Sequence, residues 1–236
     1  MFLIFEERPS ESPLVERIWH CRSERAGTFL SVASSHWEMV VTRHQGRMML
    51  TLRGPETKVS SVDCPADGEW VGIRFKVGTF MPQQPVSSLI DRRDVMLPSA
   101  SGRSFWLDHS TWEYPTFENA ETFVKRLVRR HLVVQDEVVV DALNGNPHRR
   151  TIRSAQRHFL SATGMSYSRF RQIERARHAT NLLRQGASIL DTVHETGYFD
   201  QAHLTRSLTR LIGQTPGKIV KAEQQLSFLY KTTPQR

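Results

Sequence analysis

Two sets of mostly polar side chains in this sequence have the types and spacing to reach the edges of base pairs. Arg153, Gln156 and Arg157 form the first, and Gln201, Ala202, His203, Thr205 and Arg206 the second. A guanidinium can bond bidentately to the O6 and N7 edge of guanine, a glutamine amide to N6 and N7 of adenine. At intervals of three and four residues such groups share one face of a helix. Arg149 and Arg150 stand just before the first set, and Arg169 and Arg177 lie between the two. Their charges suit phosphate oxygens, which fix register on a duplex without reading its sequence.

The two sets sit in segments that repeat at an offset of 49 residues. Thr151 matches Asp200, Ala155 matches Leu204, Arg157 matches Arg206, Phe159 matches Leu208, Gly164 matches Gly213 and Ser166 matches Thr215. Repetition on this scale marks a duplicated supersecondary unit. Charge follows the repeat. The chain of 236 residues carries a formal +8, and Asn144 to Lys218 hold 12 Lys and Arg against 4 Asp and Glu, so the remainder nets zero. A cationic half attached to a neutral half fits binding of a polyanion such as double-stranded DNA.

Enzymatic chemistry finds less support. His36, Glu38, His44 and His109 are of metal-ligating type, yet no HxH pair, HExxH run or carboxylate couple at ligand spacing occurs. Cys21 and Cys64, the only cysteines, lack CxxC spacing, so neither a zinc site nor a disulfide framework is expected. No catalytic residue, metal or cofactor is expected. The apolar start, Met1 to Phe5, gives way at once to Glu6, Glu7 and Arg8, too short for a signal-peptide core. No run approaches the ~18–20 apolar residues needed to span a bilayer. The expectation is a cytoplasmic, nucleoid-associated protein without a membrane partner.

The elements that position these side chains can be read coarsely. Residues 28–110 read as short strands with Gly and Pro between them, at Phe29–Val32, Trp37–Thr42, Arg47–Leu52 and Trp70–Val77. Val71, Ile73, Phe75 and Val77 should share one side. Closely spaced strands of this kind imply a small barrel or sandwich, a shape able to hold a small molecule. Its tryptophans, Trp37, Trp70, Trp106 and Trp112, read as core or rim. A short helical piece is expected around Ser87–Ile90. An amphipathic helix should start at Pro115 or Thr116, packed on the barrel or pairing subunits.

Helices then follow. Asp136–Leu143 offers a short one, and Thr151 caps the next, with Ile152, Ala155 and Phe159 inward and Arg153, Ser154, Gln156, Arg157 and His158 outward. Ser166 caps a long helix to Arg184, whose inner face is Phe170, Ile173, Ala176, Ala179, Leu182 and Leu183. Ser188 caps a helix ending at Glu195, Gly197 makes a turn, and Asp200 caps a last helix striped by Leu204, Leu208 and Leu211. The bridging helix is long enough to hold two reading helices about one DNA turn, ~34 Å, apart. The expected fold is multidomain α+β. Residues 1–132 form a β-barrel-like, cupin-like sensing or dimerisation domain, and residues 133–236 an all-α DNA-binding domain.

Between residues 136 and 220 the chain resembles the arabinose-regulator (AraC/XylS) family of bacterial transcription factors. The resemblance rests on Ser166, Phe170, Arg175-Ala176, Ala179, Leu182-Leu183, Ser188-Ile189, Asp191, Gly197-Tyr198, Asp200, His203-Leu204-Thr205-Arg206, Gly213 and Thr215-Pro216. Thr151, Arg153, Ala155-Gln156-Arg157 and Phe159 resemble that family's first recognition helix. The resemblance implies seven helices with two helix-turn-helix units joined by a linker. It places Arg153, Gln156 and Arg157, and Gln201, Ala202, His203 and Arg206, at base-contacting positions. It also implies a partner domain that binds a small-molecule effector and often dimerises, with RNA polymerase as a further partner of an activator. Two rivals stand beside it: a metal-dependent barrel enzyme fused to a DNA-targeting half, and a constitutive DNA binder with no sensor.

Overall fold

The computed structural model describes residues 2–92, 95–146 and 151–221, so Arg149 and Arg150 lie outside the described residues. The strand-rich half runs β1 (Leu3–Pro9), β2 (Val15–Ser23), β3 (Gly27–Ser31), β4 (Glu38–His44), β5 (Arg47–Arg53), β6 (Ser60–Cys64), β7 (Glu69–Phe75) and β8 (Thr79–Phe80). A 3-10 turn at Val86–Ser88 precedes β9 (Val95–Met96), β10 (Ser99–Ser101), β11 (Ser104–Leu107) and β12 (Ser110–Glu113). Then come α1 (Ala120–Arg129), β13 (Val134–Gln135), α2 (Glu137–Leu143), α3 (Ile152–Thr163), α4 (Tyr167–Arg184), α5 (Ile189–Thr196), α6 (Gln201–Leu211) and α7 (Pro216–Val220).

Six strands form one sheet in the order β1-β2-β7-β4-β5-β9, with every neighbouring pair antiparallel. One face carries Ile18, Met39, Leu50, Leu52, Ile73 and Phe75, and α1 covers part of it with Ala120, Phe123, Val124 and Leu127. The other face buries Leu3, Trp19, Cys21 and Val40. Gly72 of β7 lies opposite Trp19 of β2, and a Cβ there would come within 2.0 Å of the indole. Glycine is what lets that ring cross the strand. The expected alternation holds for Val71, Ile73 and Phe75, but Val77 lies past the end of β7 and packs against the core of the helical half, and the intervening positions of β7 are not solvated. Arg74 is also buried, paired with Glu38 of β4.

Sheet structure begins earlier than the sequence suggests. β1 and β2 precede residue 28, and their charges disguise the alternation because they pair off. Glu7 holds Arg17 at 2.7 Å, Glu6 holds His20 Nδ1 at 2.7 Å, and Arg8 reaches Glu121 of α1 at 3.1 Å. The amphipathic helix starts later than expected, at Ala120. Thr116 and Asn119 use up the intervening turn: the Thr116 N–H donates to Asn119 Oδ1 at 2.9 Å, and the Asn119 N–H donates to Thr116 Oγ1 at 3.2 Å. The apolar side of α1 is occupied by the chain's own core. Trp37 and Trp112 are buried, while Trp106 is half exposed.

Among the described residues the helical half has six helices, α2 to α7. Phe159, Phe170, Ile173, Ala176, Leu183, Val193, Leu204, Leu208 and Ile219 form its core, and Val32 and Ala33 from the strand-rich half enter the same cluster. The Ala33 N–H donates to the Leu211 carbonyl at 2.8 Å. Strand β13, past residue 133, pairs back with β8. Ile152 corrects the sequence expectation. It is 80% exposed rather than inward, because it sits in the first helical turn, before the stripe that meets α2.

Candidate nucleic-acid interface

The second unit is built from its caps. Ser188 Oγ accepts from the Asp191 N–H at 3.1 Å and donates to the Asp191 carboxylate at 2.6 Å, closing the start of α5. Gly197 ends that helix in the left-handed region, φ 68°, which a residue with a Cβ adopts at a cost. Asp200 Oδ1 then accepts from the His203 N–H at 2.6 Å, fixing the first turn of α6. Leu204, Leu208 and Leu211 are buried, so α6 presents its other faces outward. Gln201, Ala202 and Arg206 are exposed there. His203 and Thr205 are half-buried and engaged. The His203 ring stands edge-on to Tyr198 at 5.1 Å, and Thr205 Oγ1 donates to the Gln201 carbonyl at 2.8 Å. The Thr205 hydroxyl proton is thus used within the helix, which leaves its oxygen as an acceptor.

Tyr198 is the anchor of this turn. It is buried, its hydroxyl lies 2.8 Å from Ser207 Oγ, and the Arg175 guanidinium of α4 stands over its ring at 4.2 Å. Arg175 Nη1 also donates to the Gly197 carbonyl at 3.3 Å. No spacing rule joins residues 175 and 198, so this role was invisible in the sequence.

The first unit has the same plan. Asp136 Oδ1 accepts from the Val138 and Val139 N–H groups to cap α2, and Thr151 Oγ1 accepts from the Ser154 N–H at 3.3 Å to cap α3. Gly164 ends α3 with φ 73°. Arg153, Gln156 and Arg157 are exposed along it. His158 departs from the outward placement expected of it: its Nδ1 lies 2.7 Å from Asp136 Oδ2, tying α3 to the cap of α2.

Between the units α4 runs 18 residues, about 27 Å at the α-helical rise. Arg169 lies in its first turn, half-buried, and Arg171 is exposed. Arg177, expected to meet phosphate, is placed elsewhere. Its side chain is 11% exposed and faces the strand-rich half, with Nη1 3.4 Å from Glu174 Oε1 and 3.2 Å from His36 Nδ1. Burial between two partners removes that guanidinium from the surface a duplex could touch.

His36 belongs to a polar latch between the halves. Its Nε2 lies 3.1 Å from Glu16 Oε2, off the line of a good hydrogen bond, and its neighbour Ser35 donates to Glu174 Oε1 at 2.6 Å. Burial pushes the imidazole pKa down to about 4; Glu16 opposes this and Arg177 reinforces it. Burial would raise the Glu16 carboxyl, but the charges of His36, Arg74, Arg17 and Arg177 outweigh it and hold it at about 2. With His36 neutral near pH 7, the arginines are what keep Glu16 ionised there. The other metal-type residues do not join this group: Glu38 is paired with Arg74, and His44 and His109 lie at hairpin ends. Among the described residues no three His, Cys, Asp or Glu side chains gather as a metal site.

Two capped helices, each preceded by a partner helix and joined by a shared strut, have the layout of two helix-turn-helix units, the architecture of a DNA-binding domain. Residues 149–222 match the family model described as a helix-turn-helix domain, and this part of the chain is a helix-turn-helix domain. The chain is also similar to a solved structure, that of ToxT from Vibrio cholerae O395. The likeness covers 97% of this chain and 99% of that one at 8% identity, with a TM-score of 0.42, too low to bear on function. The comparison with curated proteins finds no match. Among the described residues no helix is long and apolar enough to cross a membrane.

Proposed function

We propose that the protein is a sequence-specific regulator that reads two adjacent major-groove segments, one with α3 and one with α6. The observation that carries this reading is the exposure of Arg153, Gln156 and Arg157 on one helix and of Gln201, Ala202 and Arg206 on the other. Each helix is held from behind by buried apolar residues. Helix N-termini and the half-exposed Arg169 neutralise phosphates and release counterions, so affinity falls steeply with salt. Arg149 and Arg150 would add to this from the segment before α3. Residues 1–132 supply the control side. An open cavity of about 290 Å³ lies over the sheet beside Phe117, with Val41, Met48 and Val71 below and Glu6, His20 and Glu69 at its rim. Its mixed lining suits a small molecule with an apolar body and a polar end.

Selection of preferred sites from random duplex DNA tests the reading. The expected product is a site with two short conserved blocks, one helical turn apart, whose occupancy changes with an added effector. Recovery of unrelated sequences after repeated rounds would overturn base reading by either helix.

A further inference from the structure

Phe199 is 90% exposed, the most exposed of the described large apolar side chains. Scattered exposed apolar residues are ordinary, and exposure alone signifies nothing. The placement of this one is unusual. On one side Tyr198 is buried beneath Arg175, and on the other Asp200 is locked as the cap of α6. A residue between two such fixed neighbours cannot turn its ring inward without breaking one of them. Its ring therefore projects beside the N-terminal turn of α6, next to the exposed Gln201 and Ala202. The N-terminal residues of a recognition helix are the ones that reach base edges.

A phenyl ring has no donor or acceptor to offer a base edge. The one apolar group a base pair presents in the major groove is the C5 methyl of thymine. We propose that Phe199 is a specificity-determining residue that packs against a thymine methyl at the margin of the segment read by α6. This rests on the DNA-reading function proposed above and extends it: the second unit selects thymine by shape, outside the reach of its hydrogen-bonding side chains. The ring loses water only when the duplex is present, so its contribution appears in binding and not in folding.

The test uses the full chain, its selected site, and the variants Phe199→Ala and Phe199→Ser. In separate duplexes each thymidine of the α6 segment is replaced by deoxyuridine, which deletes only the methyl group. The wild type should lose about fourfold in affinity at one position, the worth of one buried methyl. Both variants should bind the thymidine duplex about tenfold more weakly, as expected when an aromatic ring loses its apolar contact. They should also become indifferent to the deoxyuridine exchange, with unchanged thermal unfolding. Variants that bind as the wild type does, or that keep its deoxyuridine penalty, overturn the proposal. So does a change of oligomeric state without a change in discrimination, which would assign the ring to a protein contact. Failure of the wild type to prefer any sequence is a distinct result, since it removes the DNA-reading function itself.

Discussion

Arg175 of α4 stands over Tyr198 with its guanidinium carbon 4.2 Å from the ring centroid, and bonds the Gly197 carbonyl at 3.3 Å. The strut between the two units thus grips the turn of the second at its tightest point. Tyr198 passes that constraint on to α6 through His203 and Ser207. An arginine on a basic helix beside a DNA-binding turn invites a phosphate role, but here the charge is spent within the fold.

Arg175→Lys separates the two roles, since lysine keeps the charge and loses the planar stack. Partly desolvated cation–π pairs contribute about 1–2 kcal/mol. The expected result is a fall in Tm of about 2–4 °C per kcal/mol lost, with the salt dependence of DNA binding unchanged. If lysine restores full stability while Arg175→Ala flattens the salt dependence, the arginine is a phosphate contact after all.

The latch around His36 makes stability depend on pH, and the sign follows from its depressed pKa. The folded imidazole titrates near 4 and the unfolded one near 6.5, so only the unfolded chain takes up a proton between those values. Stability is full above about pH 6.5, falls as the pH drops toward 4, and gains no further loss from this group below that. Glu16, held near 2 against an ordinary 4.5, extends the decline through that lower window. The His36 share is about 3 kcal/mol at most. Urea unfolding at pH 7, 5.5 and 4 should show His36→Gln losing less stability than the wild type over the upper window. Parallel curves for the two proteins would refute the assignment.

How much of this was legible in the sequence depended on whether a residue's partner is local. The caps Thr151, Ser166, Ser188 and Asp200 are each set by a backbone N–H three residues ahead, and each functions as its position implies. The stripe of Leu204, Leu208 and Leu211 is fixed by helical periodicity alone. Arg177 looked like its neighbours on α4 because its partner His36 is 141 positions away. Ile152 obeyed the apolar pattern but lies a turn too early to reach the core. Strands β1 and β2 were hidden because polar side chains that pair across them, such as Glu7 with Arg17, interrupt their apolar positions.

Arg206 lies on the exposed face of α6, one turn beyond Ala202. A bidentate contact to guanine predicts that Arg206→Ala costs about 1–3 kcal/mol on the preferred site and relaxes selectivity at one base pair. Competition binding with the selected site and a scrambled duplex measures both. An equal loss on the two duplexes would mean that Arg206 touches phosphate and reads nothing.

Arg169 and Arg177 share a helix and a charge, yet the structure gives them different work. Arg169 is half exposed at the start of α4, while Arg177 is enclosed by Glu174 and His36. Each neutralised phosphate contributes about 0.9 to the slope of log affinity against log salt. Arg169→Ala should therefore weaken specific and random duplexes alike and make that slope shallower by about one. Arg177→Ala should leave the slope where it was. It should instead destabilise the fold by about 1–3 kcal/mol, because Glu174 keeps only Ser35 as a donor and the Nδ1 of buried His36 loses its guanidinium. A salt titration and an unfolding curve on each variant decide the matter. If Arg177→Ala flattens the slope with no loss of stability, its guanidinium leaves the latch for the duplex when DNA binds, and the enclosed geometry belongs to the free protein alone.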